Sequence, residues 1–482
     1  MDMDGSASVA ALNDSLMSSM RQRLESFSRR EPWHSYPPTI YRVPKSMRHI
    51  DVDAYEPKIL SIGPYHRGKP LLEEMEKHKW RCLHDFLCLN PEVSLEMCLI
   101  EMKSLEEMAR SFYSETVKLH SDDFVEMMLM DGCFIVEFLM KLNKSSLEFI
   151  FQSKETEEPM FNTMWILPPI VHDILLLENQ VPFFILQRLF DLATVSDKHR
   201  YTNHSLAELA FYMFNCLVPL NKEITPMPVT SVHHLLHLFH THLLPSLKFI
   251  NNSVGDSPHH NSNHLVHTLF NTHFLPIVPS RLRHTPTPSE RKAKTIPSAT
   301  ELQEAGVKFK KMVKKAGSFM EIEFSKGIMQ IPQLYVYPNT NSFFRNLIAF
   351  EQCYPNSNTH FTAYAMFMDK FINSPKDVML LKQHGIIQHG LGTDEELAFL
   401  FNQLGKGVNF YYSKTYLSNV YKEVKLYYST DWHRWRASLM HDYFSNPWAF
   451  LSLVGALVLL LLTIAQTLLA FLSHHSKPSQ TS

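Results

Sequence analysis

The longest uninterrupted apolar stretch lies near the C-terminus, where Trp448 to Leu472 (WAFLSLVGALVLLLLTIAQTLLAFL) contains no charged residue. At ~1.5 Å per residue a helix of this run reaches past the ~30 Å hydrocarbon core of a bilayer. The run predicts a single transmembrane helix over 448–472 that contacts lipid, followed by a short polar tail, 473–482. A folded domain then has to lie on the N-terminal side.

Upstream the apolar positions recur at helical spacing. Leu72, Met75, Lys79, Leu83 and Phe86 step along one stripe, and Leu95, Cys98, Met102, Leu105, Ala109 and Phe112 do so again after the break at Pro91. These predict an antiparallel helix pair. Asp122 to Leu142 is apolar nearly all round, which predicts a buried helix holding Asp131 and Glu137 inside it. Leu167 to Leu192 has the same character, with Pro168 and Pro169 at its entrance and Pro182 bending or breaking it. Charge interrupts both runs, so neither predicts a membrane span.

The remaining segments are shorter or irregular. Residues 1–36 read as a mobile N-terminal segment with a marginal helix near 12–27. Residues 37–70 carry Pro37, Pro38, Pro44, Pro57, Pro64 and Pro70, so an extended segment is expected, tethered by Tyr41, Val43, Ile59 and Ile62. A histidine-rich insertion is expected at about 231–296, looping out at its centre. Ser298 and Glu301 then form a capping box for a helix whose Lys308, Lys311 and Lys315 make a basic face. Glu321 to Tyr337 alternates and turns at Lys326-Gly327, predicting a short β-hairpin. Helices are predicted over 341–353, 361–372, 375–384, 393–404 and 408–440. The fold class is mainly α: a large helical domain over 37–440 with a β-hairpin and an extended N-terminal segment, plus the C-terminal transmembrane helix.

Composition removes some alternatives. A hydrophobic fraction of 45% is ample for a large core, so this is not a disordered chain with an anchor. Basic and acidic residues number 46 and 48, leaving no global pull toward nucleic acid, and no nucleic-acid partner is expected. The N-terminus carries acids at once and no apolar h-region, so no secretory signal is expected and the domain is placed in the cytosol. Cys82, Cys88, Cys98, Cys133, Cys216 and Cys353 lack CxxC spacing, which suits thiols in a reducing compartment. The sequons at Asn13, Asn143, Asn203 and Asn251 weigh only slightly against that placement.

Several ordered blocks resemble a known family. They are MMLMDGCFIVEFL, DILLLENQVPFFILQRLF, SATELQEAGVKFK at Ser298–Lys310 and FRNLIAFEQC at Phe344–Cys353, opened by IYRVPKSMRHIDVDAYEPKILSIGPYHRGKPLLEEMEKHKWRCLHDFL. Together they are similar to the plant domain-of-unknown-function-247 family over about residues 38–472. The resemblance implies a land-plant, mostly helical, membrane-attached protein with no assigned enzymatic activity. Some grass members are linked to pollen and stigma self-recognition, a role that family resemblance alone does not carry to this chain.

Candidate chemistry is sparse. Asp131, Asp173 and Glu178 sit in strongly apolar surroundings, and with Asn179 and Gln180 they form a candidate buried polar network. Pairing with cations or with the backbone freed near Pro182 is the commoner use of such groups. His233, His237 and His240 share one helix face, but no carboxylate or cysteine joins them, and no metal or other cofactor is expected. Gly390 to Leu397 (GLGTDEEL) resembles one annexin calcium loop, although Thr393 and Glu396 already read as a capping box. The lysine run Lys308, Lys310, Lys311, Lys314 and Lys315 suits either a solvated face or anionic headgroups. No GxSxG, HExxH, P-loop or kinase signature occurs.

The expected function is therefore that of a membrane-anchored, non-enzymatic protein acting through contacts with a protein partner in signalling or recognition. The alternative is an unrecognised hydrolase or metal-dependent enzyme using the buried carboxylates. Arg434 and Arg436 before the span outweigh Lys477 after it, which favours a cytosolic domain. Within the span, Ser452, Ala456, Leu459, Thr463, Gln466 and Ala470 put mostly small or polar groups on one face, a candidate surface for self-association.

Overall fold

A computed structural model describes residues 16–25, 37–89, 91–144, 165–195, 204–215, 232–246, 249–250, 296–312, 317–410, 415–430, 435–436 and 447–475. The centre of the histidine-rich stretch, Cys216, Lys314, Lys315, Arg434, Lys477 and the sequons at Asn13, Asn203 and Asn251 lie outside them.

The first half is built around one apolar helix. α1 (Glu73–Leu89) and α2 (Leu95–Ser111) form where predicted, but each packs chiefly on α3 (Ser121–Lys144), which is buried from Met127 through Met140, and not on the other. Gly132 lets α5 (Phe183–Val195) come close, because a Cβ there would lie 2.4 Å from Leu189 Cδ1. The run from Leu167 breaks rather than bends. α4 (Leu167–Ile174) ends eight residues before α5, and Pro182, which has no N–H, stands immediately before α5. α6 (Leu206–Asn215) completes the layer around α3.

The start of the stretch expected as an insertion is core. α7 (Leu235–Leu243) buries Leu235, Leu236, Leu238, Phe239 and Leu243 together with His234, His240 and His242. Neutral imidazole tolerates an apolar interior when its nitrogens find partners, so a high histidine count does not by itself mark a surface loop.

The second half holds two small sheets among helices. α8 (Ala299–Glu304) starts at the Ser298/Glu301 capping box but ends after six residues. Gly306, at φ +99°, closes it with paired bonds from Gly306 N–H to Gln303 O and Val307 N–H to Leu302 O. The lysines beyond it form a strand, β1 (Lys308–Lys311), and not the expected basic helix face. The predicted hairpin is present as β2 (Glu323–Ser325) and β3 (Ile328–Ile331), with Phe324 opposite Met329. Lys326 and Gly327 both take positive φ at its turn, and β1 lies parallel to β3 on the other side.

β4 (Leu334–Val336) leads to α9 (Thr340–Cys353), α10 (His360–Phe371) and α11 (Pro375–Gln383). β5 (Ile387–His389) returns parallel to β4, and α12 (Asp394–Leu404) packs on α10 and α11. A continuous helix over 408–440 does not form: residues 408–410 are non-helical, and the helix seen is α13 (Ser418–Tyr428). The turn before α13 buries Tyr416, whose hydroxyl donates to Met320 O at 2.9 Å.

One hydrophobic cluster runs from Ile40 to Val424 through both halves. α14 (Pro447–His475) is outside it. Its segment Val454–Phe471 is wholly unburied and is long and apolar enough to cross a membrane. The helix over 16–25 is likewise exposed, with Leu16, Met17, Met20 and Leu24 at its surface.

Candidate functional site

The proline-rich segment 37–70 has almost no regular structure, apart from one helical turn at Lys45–Arg48, two short 3-10 turns and a bridge of Ile40 to Tyr113. Its buried N–H groups need acceptors that no sheet supplies. The polar residues picked out in the sequence provide them.

Asp173, in the last turn of α4, accepts the N–H groups of Lys58, Ile59 and Leu60, each at 2.8 Å. His172 Nδ1 lies 2.8 Å from the same carboxylate. Asn179 continues the pattern: its Oδ1 accepts Ile62 N–H at 2.7 Å, and its Nδ2 donates to Leu60 O and Asp173 O at 2.9 Å. Asp131 accepts Gly63 N–H at 2.7 Å and pairs with Lys79 Nζ at 2.6 Å. Burial pushes the Asp131 carboxyl above its ordinary range, with the Lys79 ammonium opposing.

Gln180 serves the helix break. Its Nε2 donates to Ile174 O at 2.6 Å and Leu176 O at 2.8 Å, carbonyls freed where α4 stops. Its own carbonyl accepts Tyr113 Oη at 3.0 Å. Gly63, at φ +69°, passes directly over that carbonyl, where a Cβ would sit 2.6 Å from Gln180 O.

Glu178 faces the opening of the segment. It accepts Val43 N–H at 2.6 Å, pairs with Arg48 at 2.5 Å and Arg42 at 3.3 Å, and has His66 Nε2 at 3.4 Å. Burial alone would raise its pKa, but His66, the Val43 amide and Arg48 together hold it down to about 2. Arg48 also pairs with Glu56, which Lys69 reaches at 2.5 Å.

The five residues are thus brought together as a clamp on one strap of chain. The three carboxylates do not converge on an open site. Each has its own backbone and cationic or imidazole partners, and none lines either of two concavities in the domain. One of these, beside His172 and Thr340, has about 20 Å³ of accessible space, room for little more than a water. The other is a surface groove along α11 and α12.

The remaining candidates are also engaged. His233 stacks on His237 at 4.5 Å between ring centres and meets Tyr354 Oη at 3.0 Å, while His237 Nδ1 accepts the His233 amide at 3.1 Å. His240 Nε2 lies 2.8 Å from Glu351, whose carboxylate caps α10 through the Phe361 and Thr362 amides. Burial drives the imidazoles toward the neutral form, His233 to about 4, His234 to about 3 and His237 well below its usual value. Among the described residues no three His, Cys, Asp or Glu side chains are grouped to hold a metal. In GLGTDEEL, Thr393 caps α12, Asp394 pairs with Lys382 at 2.7 Å and His389 at 2.8 Å, and Glu396 accepts Gly392 N–H.

Sequence reading did not single out Lys79, Arg48, His66 or Glu351 as part of such a network. Lys79 carried a signal, a charge inside the apolar stripe of α1. Arg48 and His66 sit in a segment without periodicity and Glu351 on the predicted helix α9, and only their long-range partners give them meaning.

The comparisons agree with this extent of fold. A family model described as a plant protein of unknown function matches residues 40–462. UPF0481 protein At3g47200 of Arabidopsis thaliana is 32% identical over 441 residues, covering 90% of this chain and 86% of that protein. Putative UPF0481 protein At3g02645 of the same plant is 23% identical over 493 residues, covering 89% of each. No solved structure matches the chain.

Proposed function

Since the chain belongs to the plant domain-of-unknown-function-247 family, we propose that it is a membrane-anchored, non-enzymatic protein acting through protein contacts in signalling or recognition. The observation that carries this reading is an uncovered stripe on α2. Met97, Ile100 and Met108 are 42%, 70% and 41% exposed at spacings that put them on one face, beside Lys103 and Glu107. The domain core is closed behind this helix by Cys98, Met102 and Ala109, so the stripe is free to meet a partner.

α14 supplies the anchor in this reading, with the domain on the cytosolic side, as the Arg434 and Arg436 bias favours. The face of Ser452, Ala456, Thr463, Gln466 and Ala470 is proposed to join two spans. Thr463 Oγ1 already donates to Leu459 O at 2.8 Å within its own helix, which leaves Gln466 as the stronger donor between helices.

Proximity labelling in plant cells, with the labelling enzyme fused to the chain, tests the contact surface. Met97→Glu with Ile100→Glu should remove a discrete set of labelled neighbours without changing abundance or membrane fractionation. An identical neighbour set overturns the proposal.

A further inference from the structure

One cationic cluster is assembled from three separate parts of the chain. Arg436 packs against the tight turn after α8, where a Cβ on Gly306 would lie 3.1 Å from its guanidinium. Tyr427 of α13 reaches both this glycine and the hairpin turn, at 3.4 Å and 2.9 Å from the corresponding positions on Gly306 and Gly327. Lys308 donates its amide to Gly327 O at 2.8 Å, and Lys326 occupies the turn beside it. Lys308, Lys310, Lys311 and Lys326 are exposed, and no acidic side chain pairs with any of them among the described residues. Lys311 Nζ contacts the amide of Gln333 at 2.5 Å. Glu301 and Glu304 on α8 and Glu323 on β2 are the acids on α8 and the three strands, so five cations stand against three carboxylates.

On the spanning reading of α14, the chain tethers this surface to the bilayer. Residues 437–446 separate Arg436 from Pro447, the first residue of α14. Fully extended, that link reaches ~35 Å. Trp435, next to Arg436, is 72% exposed, as suits a side chain at a membrane interface. Anionic headgroups recruit juxtamembrane cations and act only within a Debye length, so a short tether to the bilayer is what gives such a cluster effect.

We infer that the β1 edge and hairpin turn, with Arg436, dock on the anionic headgroups of the leaflet that α14 enters, holding the domain against the membrane. This rests on the membrane-spanning reading of α14. Each cation should shift the balance of docked and free states by about fivefold.

The test uses the full chain reconstituted in vesicles of phosphatidylcholine alone or mixed with phosphatidylserine, read by backbone hydrogen exchange. Residues 308–311 and 326–328 should exchange several-fold more slowly in the mixed vesicles, and high salt should erase the difference. Lys308→Glu with Lys310→Glu and Lys326→Glu should erase it too, and the corresponding Gln variants should reduce it partway. Equal exchange in both vesicles, or full protection in the Glu variant, overturns the inference. Release of the chain by an alkaline carbonate wash would overturn the spanning reading first, and the inference with it.

Discussion

Lys79 and Asp131 meet at 2.6 Å with each side chain only 1% exposed, an ion pair enclosed between α1 and α3. Lys79 Nζ also donates to Ser61 O at 2.5 Å and Glu76 at 2.6 Å, so it ties both helices to the strap. Removing one partner leaves the other charge buried. Lys79→Met should cost ~3–5 kcal/mol, and adding Asp131→Asn should recover much of it, because the amide oxygen still accepts from Gly63. Denaturant midpoints for the two single variants and the double variant give the coupling; additive losses would mean the two groups act independently.

Asp173 is expected to hold the strap more than it holds α4. Asp173→Ala leaves the amides of Lys58, Ile59 and Leu60 without an acceptor, at a cost of ~2–4 kcal/mol. Asp173→Asn keeps one acceptor oxygen and should fall between the variant and the parent. Limited proteolysis should then cut first within residues 50–66; unchanged cleavage would place the role of Asp173 elsewhere.

Two glycines of the strap separate strain from crowding. Gly63 and Gly68 have φ of +69° and +78°, but only Gly63 has atoms where a Cβ would go. Gly68→Ala should cost ~1–2 kcal/mol from the left-handed backbone alone. Gly63→Ala adds a clash with Gln180 O and should lower the melting temperature distinctly further. Equal shifts would mean the strap moves away from the helix break freely.

The buried histidines set an acid limit. His233, His234 and His237 have folded values depressed below the unfolded 6.5, so the unfolded chain binds protons more readily between those values. Their contribution is present above pH ~6.5 and lost as pH falls toward ~4. Glu178, depressed to about 2, adds stability present above its ordinary 4.5 and lost as pH falls from there toward 2. His237→Leu should flatten the dependence of melting temperature on pH below 6.5, wherever the unfolded imidazole is protonated and the buried one is not. A slope unchanged in that window would assign the acid sensitivity to other groups.

If the spans associate, Gln466→Leu should weaken association in a membrane reporter more than Thr463→Leu, whose hydroxyl is already bonded to Leu459 O. Equal reporter signal for both variants and the parent would leave α14 as a simple anchor.

Much of this was written in local pattern. The stripe of α1, the all-round apolarity of α3, the capping box at Ser298 and the Lys326-Gly327 turn each specify their element from a few neighbouring residues, because helix and hairpin bonds are short-range. So does the length of α14. What the sequence left open were contacts whose partners lie far along the chain. Nothing local says that Asp173 will accept amides more than a hundred residues away, or that α7 will carry its histidines into the core. The same holds for the lysines after α8: a left-handed glycine ends the helix, and pairing with β3, seventeen or more residues on, turns them into a strand. Periodicity fixed which residues are apolar together. Only tertiary packing decided which buried polar groups meet, because each needs a partner to offset its desolvation and that partner is set by the fold as a whole.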